Sequence, residues 1–220
     1  MLPRKLILQS VRDGCFYVQL ALGELVSAED RLLVAVAGKT KAGKTHFVRE
    51  MVQYLTGLGV TSACLAGDRY FFDIDDAEIP KDQLGYPVFD HPDSYHHDEL
   101  SADIYQLLRG ESVHMPEYSL EENKRVRRDG TLVAPGRVIL VDYLFAIDLV
   151  ERIETPHRLK LFLDARQSIR LQRRLVCDAQ FCDKPERIER YFFGCVELFQ
   201  AEYVEPQRRF SDIVLMSEGG

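Results

Sequence analysis

The apolar run Leu32-Leu33-Val34-Ala35-Val36-Ala37 passes directly into Gly38-Lys39-Thr40-Lys41-Ala42-Gly43-Lys44-Thr45, and a helical pattern follows from His46 to Leu55. No other stretch narrows the choice of fold as far as this succession of buried strand, Gly-x-x-x-x-Gly-Lys-Thr loop and helix. Glycines let backbone N–H groups turn inward around anionic oxygens, and the helix N-terminus adds a favourable dipole. Lys44 reaches the β- and γ-phosphates, and Thr45 offers a ligand to Mg²⁺. The motif predicts that Gly38 to Thr45 hold the phosphates of a nucleoside triphosphate. The flanking strand and helix weigh against the plainer reading, a loop that only caps a helix.

Four more short apolar runs, Ser62 to Ala66, Val138 to Val141, Leu159 to Leu163 and Ile213 to Met216, alternate with helical patterns. That rhythm predicts an α/β fold with a parallel five-stranded sheet buried on both faces. At 220 residues, 46% hydrophobic and 29% charged, the chain reads as one domain with a sizeable core. Residues 31–220 form that domain. Residues 1–30, with Val11, Val18, Leu22 and Leu25 at helical spacing, read as an added amphipathic helix.

A net charge of −7 leaves no polycationic surface for long nucleic acids or anionic membranes. No run reaches the roughly 20 apolar residues of a membrane span, and Gln9, Ser10, Arg12 and Asp13 break the N-terminal run too early for a signal peptide. The five scattered cysteines contain no Cys-x-x-Cys pair, so reduced thiols in a cytoplasmic compartment are expected. His91, His96 and His97 lack companion ligands at metal spacing. The aromatic, Asp- and Pro-rich stretch from Asp68 to Asp98 reads as a long functional loop.

Asp142 ends the strand Val138 to Val141, where a second Mg²⁺-side acid is required; helix cap is the alternative. Asp68 follows the strand Ser62 to Ala66 and emerges at the same sheet edge. It is placed either to take the proton of an attacking hydroxyl or as an exposed turn residue. Arg170, Arg173 and Arg174 share one side of a predicted helix, as a clamp on migrating phosphoryl charge or as a solvated face. Lys39 and Lys41 either strengthen phosphate binding or point into water.

These residues together resemble the uridine kinase family, the nucleoside-kinase branch of P-loop kinases related to phosphoribulokinase and pantothenate kinase. The likeness runs from about Leu32 to Met216 and rests on Gly67-Asp68-Arg69-Tyr70-Phe71 and, most specifically, on Val88-Phe89-Asp90-His91-Pro92-Asp93-Ser94-Tyr95. Met115-Pro116-Glu117-Tyr118 with Arg125, Arg170-Leu171-Gln172-Arg173-Arg174 and Ser211-Asp212-Ile213-Val214-Leu215 are similar to later family segments. The resemblance implies a P-loop three-layer sandwich with a helical lid and a small substrate-covering hairpin. It implies ATP-Mg²⁺-dependent phosphorylation of the 5′-hydroxyl of uridine or cytidine. In that scheme Asp68 is the base, Asp90 holds the ribose hydroxyls, Tyr118 lies against the base, and Arg173 and Arg174 serve phosphates or sugar. Thr45 and Asp142 hold the metal, while Tyr70, Asn123 and Arg125 stand at family substrate positions. A homo-oligomer is compatible with the resemblance.

The chain departs from the family at several places. Asn123 replaces a base-contacting His, and Ser119-Leu120 replaces Asp-Phe. Asp142-Tyr143 replaces Glu-Gly, and Cys177-Asp178 to Lys184 replaces an arginine-rich part of the lid. A kinase for another hydroxylated metabolite, such as a sugar phosphate, pantothenate or glycerate, is therefore the second reading. A nucleotide-binding regulatory protein without turnover is the third. No Asn-Lys-x-Asp segment supports a guanine-reading GTPase.

Overall fold

The apolar run ahead of the glycine loop is buried along its whole length, Leu32–Gly38, because helices cover both faces of the sheet to which it belongs. A computed structural model describes residues 6–8, 10–27, 29–82, 85, 87–180 and 184–217. In chain order β1 (Leu6–Leu8) and α1 (Val11–Leu22) precede β2 (Leu32–Gly38), α2 (Lys44–Gly57) and β3 (Ser62–Ala66). The second half holds α3 (His97–Leu108), β4 (Val113–Ser119), β5 (Lys124–Val133), β6 (Val138–Asp142) and α4 (Ala146–Val150). It continues with β7 (Arg158–Asp164), α5 (Gln167–Asp178), α6 (Pro185–Tyr191) and β8 (Ile213–Met216).

The central sheet has the order β1-β8-β7-β2-β6-β3, and every pairing in it is parallel. It carries six strands where five are expected from the sequence. The extra strand is Leu6–Leu8, which pairs with β8 at the sheet edge; three residues are too few to declare a strand period. The first 30 residues thus supply an edge strand as well as a helix, and Cys15, Val18 and Ala21 of α1 are buried.

Alternation along the strands divides the core in two. Leu32, Val34 and Val36 face one side with Phe47, Val48, Met51 and Leu55 of α2. Leu33, Ala35 and Ala37 face the other with Leu100, Ile104 and Leu107 of α3 and with α4. The result is a helix–sheet–helix sandwich, and β4 with β5 forms a separate antiparallel hairpin. Among the described residues no helix is long and apolar enough to cross a membrane. Cys15, Cys64, Cys177 and Cys195 are free.

Candidate active site at the sheet edge

Parallel pairing brings the C-terminal ends of β2, β3 and β6 to one edge. Asp142 is in register with both Val36 and Ala66, so the glycine loop, Asp142 and Asp68 leave the sheet side by side. Gly38 turns the chain with φ +141°, and a Cβ there would stand 2.3 Å from the Leu163 carbonyl oxygen. Gly43 precedes α2 with no side-chain cap, which leaves the first amides of a 14-residue helix to the loop's concave side. This is the donor set a polyphosphate needs.

Lys44 Nζ bonds the carbonyls of Gly38 and Lys39 at 2.9 and 3.3 Å. Burial pulls its pKa down, while Asp142, Asp68 and Asp90 hold it up. Thr45 Oγ1 donates to Asp142 Oδ2 at 2.7 Å. A hydroxyl and a carboxylate meeting there form an oxygen donor set suited to Mg²⁺. Burial raises the Asp142 pKa, opposed by Lys44 and by the Thr45 bond.

A cleft of about 420 Å³ opens above this edge, lined by Thr45, Ala66, Asp68, Arg69, Tyr118, Leu120 and Asp142. Asp68 presents its side chain to the cleft, yet the protein packed around it pushes its carboxyl up to about 6. Lys44 opposes that shift, and Asp142 and Asp90 add to it. Tyr118 is buried with its hydroxyl on the Phe72 carbonyl at 3.1 Å. Asp90, 7% exposed, is not among the residues that line this cleft. Burial raises its pKa against the favourable charge of Arg174, and Gln200 Nε2 donates to its Oδ1 at 2.6 Å.

The profile of the phosphoribulokinase/uridine kinase family matches residues 33–218. The chain belongs to this family. The uridine kinase of Deinococcus deserti is 31% identical over 188 residues, covering 85% of this chain and 88% of its own. That of Leuconostoc citreum is 31% identical over 191 residues, covering 86% and 88%. Two solved structures share the fold alone. A proposed fructose transport system kinase from Silicibacter sp. TM1040 superposes with a TM-score of 0.74 at 16% identity, over 94% of this chain and 98% of the other. D-glycerate 3-kinase from Cryptococcus neoformans gives 0.65 at 12%, over 90% and 89%.

Membership in the phosphoribulokinase/uridine kinase family makes the chain a phosphotransferase, and it sharpens the departures. Tyr143, standing where the family usually has glycine, packs its ring on the bare Cα of Gly67 and its hydroxyl lies 3.4 Å from His97 Nδ1. Lys39 and Lys41 are partly buried, their side chains 18% and 27% exposed. They pair with Glu205 at 3.1 Å and Asp178 at 3.4 Å, tying the loop to the last turns and to the lid helix α5.

The three arginines of α5 have three different settings. Arg170 is buried and gives both terminal nitrogens to Glu197 at 2.7 and 2.8 Å, so it is an internal strut rather than an arm over the phosphates. Arg173 bonds the Lys41 carbonyl at 3.0 Å and Ser217 Oγ at 3.2 Å. Arg174 bonds Asp178 at 3.0 Å, and its Nη1 is buried without a hydrogen-bond partner among the described residues. Phe181 to Asp183 of the altered lid lie outside the described residues.

Tyr70, Asn123 and Arg125 do not line the cleft. Tyr70 follows the short turn Gly67–Arg69 into the core, where its hydroxyl donates to Asp103 at 2.6 Å. Asn123 forms the hairpin turn with φ 51°, and its carbonyl accepts from Ile74 N. Arg125 gives both guanidinium nitrogens to Glu99 at 3.2 and 2.8 Å and its backbone N–H to Asp73, facing a second cavity of about 410 Å³. Among the described residues no group of three or more His, Cys, Asp or Glu side chains is placed to hold a metal ion; His91 accepts the Asp93 amide and His97 reaches the Pro92 carbonyl. Sequence reading missed Gln200, whose polar side chain carries no motif.

Proposed function

We propose that the chain is a cytoplasmic kinase that moves the γ-phosphoryl group of ATP to the 5′-hydroxyl of a pyrimidine nucleoside, with Mg²⁺ held by Thr45 and Asp142. The observation that carries this reading is the meeting of Asp68, Thr45, Asp142 and Tyr118 around one cleft. A protein that only bound a nucleotide would need neither Asp68 nor Asp90 there.

In this scheme Asp90 orients the acceptor, Tyr118 supports its ring, and Asp68 faces the hydroxyl that attacks. Asp68 takes the hydroxyl proton while the acceptor oxygen forms its bond to the γ-phosphorus and the bond to the β-γ bridging oxygen breaks. Lys44 and Arg174 balance the charge on the transferring group. Bound Mg²⁺ supplies charge neutralisation at the phosphates. The unpartnered Nη1 of Arg174, beside Asp90, supports a ligand-facing role for that residue, since a buried guanidinium nitrogen without a partner is costly.

A second reading, a kinase for a sugar or a hydroxy acid, is favoured by Arg125, which is spent on Glu99 instead of facing an acceptor. Incubating the protein with ATP, Mg²⁺ and a panel of uridine, cytidine, fructose and D-glycerate, with products read by mass spectrometry, separates the readings. A uridine or cytidine monophosphate supports the first, and a phosphorylated sugar or acid in its place supports the second.

A further inference from the structure

The chain beyond α6 does not continue as an ordinary α-helix. Phe192–Val196 and Gln200–Val204 are π-helical, with the α-helical turn Glu197–Phe199 between them. Each π-turn accommodates an extra residue and rotates the side chains after it about the helix axis, and such turns recur at functional sites. Here the rotation delivers Gln200, with no exposed surface, to the gap between the glycine loop and Asp90. Its Oε1 accepts from Thr40 N at 3.0 Å and its Nε2 donates to Asp90 Oδ1 at 2.6 Å.

Thr40 fixes the amide's orientation, because a backbone N–H only donates and so takes Oε1, which leaves Nε2 for Asp90. Arg170 locks it further. Its Nη1 lies 3.4 Å from Gln200 Oε1, while the same guanidinium grips Glu197 and bonds the Ala165 carbonyl at 3.2 Å. A fully buried side chain of this size is ordinarily apolar, since an amide costs free energy unless both ends are bonded. Gln200 joins a loop that holds phosphates to a carboxylate on the acceptor side.

We propose that Gln200 is a positioning residue that couples the two half-sites, transmitting the ordering of Thr40 by bound nucleotide through one rigid amide to the aim of Asp90. The inference rests on the reading that Asp90 faces the acceptor. Hydrogen bonds in series polarise one another, so a nucleotide that fixes the loop strengthens the bond that orients Asp90, and the coupling is positive. By reciprocity, the acceptor tightens nucleotide binding by the same factor.

The test is calorimetric titration of uridine with and without a non-hydrolysable ATP analogue and Mg²⁺, on wild type, Gln200→Met and Gln200→Glu. Met keeps the volume without either bond; Glu still accepts from Thr40 but, as a carboxylate, cannot donate to Asp90. In wild type the analogue is expected to tighten uridine binding about fivefold or more. In both variants that tightening disappears, and Glu weakens uridine binding further, while the analogue alone binds within about threefold of wild type. A purely structural glutamine gives variants that melt lower and bind both ligands more weakly but keep the tightening, and that result overturns the proposal. Uridine that fails to bind wild type overturns the nucleoside reading instead. The coupling is then read on fructose and D-glycerate, and an intact tightening in the variants, or no acceptor bound at all, overturns it too.

Discussion

The ring of Tyr143 rests on the Cα of Gly67, so near that a Cβ added to Gly67 would come within 2.2 Å of the tyrosine Cδ2. The family usually has glycine beside the metal-side carboxylate and leaves open the space that Tyr143 fills here. The tyrosine seals the floor beneath Asp68, where Tyr143, Tyr95 and Phe145 meet edge to face. Gly67→Ala is expected to destabilise the protein by about 1–3 kcal/mol through overpacking. Adding Tyr143→Leu to Gly67→Ala is expected to cost less than the sum of the two single changes. Urea denaturation of the four proteins measures this coupling, and strict additivity speaks against the contact.

The Thr45–Asp142 bond of 2.7 Å predicts a shared fate for these two residues. Thr45→Val and Asp142→Asn are each expected to lower turnover by about 10²-fold or more. Each is also expected to remove the extra thermal stabilisation that Mg²⁺ gives the nucleotide-bound protein. Melting temperatures with nucleotide, with and without Mg²⁺, check it; a Mg²⁺ increment that survives in both variants places the metal elsewhere.

Asp68, with its carboxyl pushed up to about 6, is expected to set the acid limb of activity. A base works when ionised, so kcat/KM is expected to hold above about pH 6 and to fall tenfold per unit below it. The stability effect has the opposite sign. A carboxyl whose pKa is raised by folding stabilises the native state below its unfolded value, and that contribution is lost as pH rises through about 6. Asp68→Asn is therefore expected to melt higher than wild type at pH 8 and to show no such gain at pH 4. A variant less stable at pH 8 contradicts the assignment.

Arg170 and Arg174 lie four positions apart and are expected to fail differently. Arg170→Met strips Glu197 of its bidentate partner at 2.7 and 2.8 Å and should cost about 3–5 kcal/mol, the loss expected when one member of a buried ion pair is removed. Pairing it with Glu197→Gln should recover part of that loss. Arg174→Ala should cost less stability than Arg170→Met, because its i,i+4 partner Asp178 keeps more exposure than Glu197, 27% against 13%, and lower kcat/KM. Chemical denaturation and initial rates on the same preparations separate the two.

The sheet was legible in the sequence wherever a run was long and apolar. β2, β3, β6, β7 and β8 all lie on stretches that alternate with helical patterns, and the glycine loop marked the edge where Asp68 and Asp142 emerge. Leu6–Leu8 was not legible, because three residues hold no period and the strand exists only through pairing with β8. Long-range partners were also beyond reach. Glu99 and Glu197 claim Arg125 and Arg170 across 26 and 27 residues, and the burial of Tyr70 depends on Asp103. Gln200 was silent for a related reason: the π-helical turn Phe192–Val196 ahead of it aims it inward, and a π-turn leaves no periodic mark.

Phosphoryl transfer to a nucleoside with Asp68 as base is tested by incubating wild type and Asp68→Asn with ATP, Mg²⁺ and uridine and quantifying uridine monophosphate by mass spectrometry. Monophosphate is expected from wild type, with a drop of about 10²-fold or more in the variant and nucleotide binding retained in both. Equal product from the two proteins, or ATP bound by wild type with no uridine monophosphate formed, contradicts it.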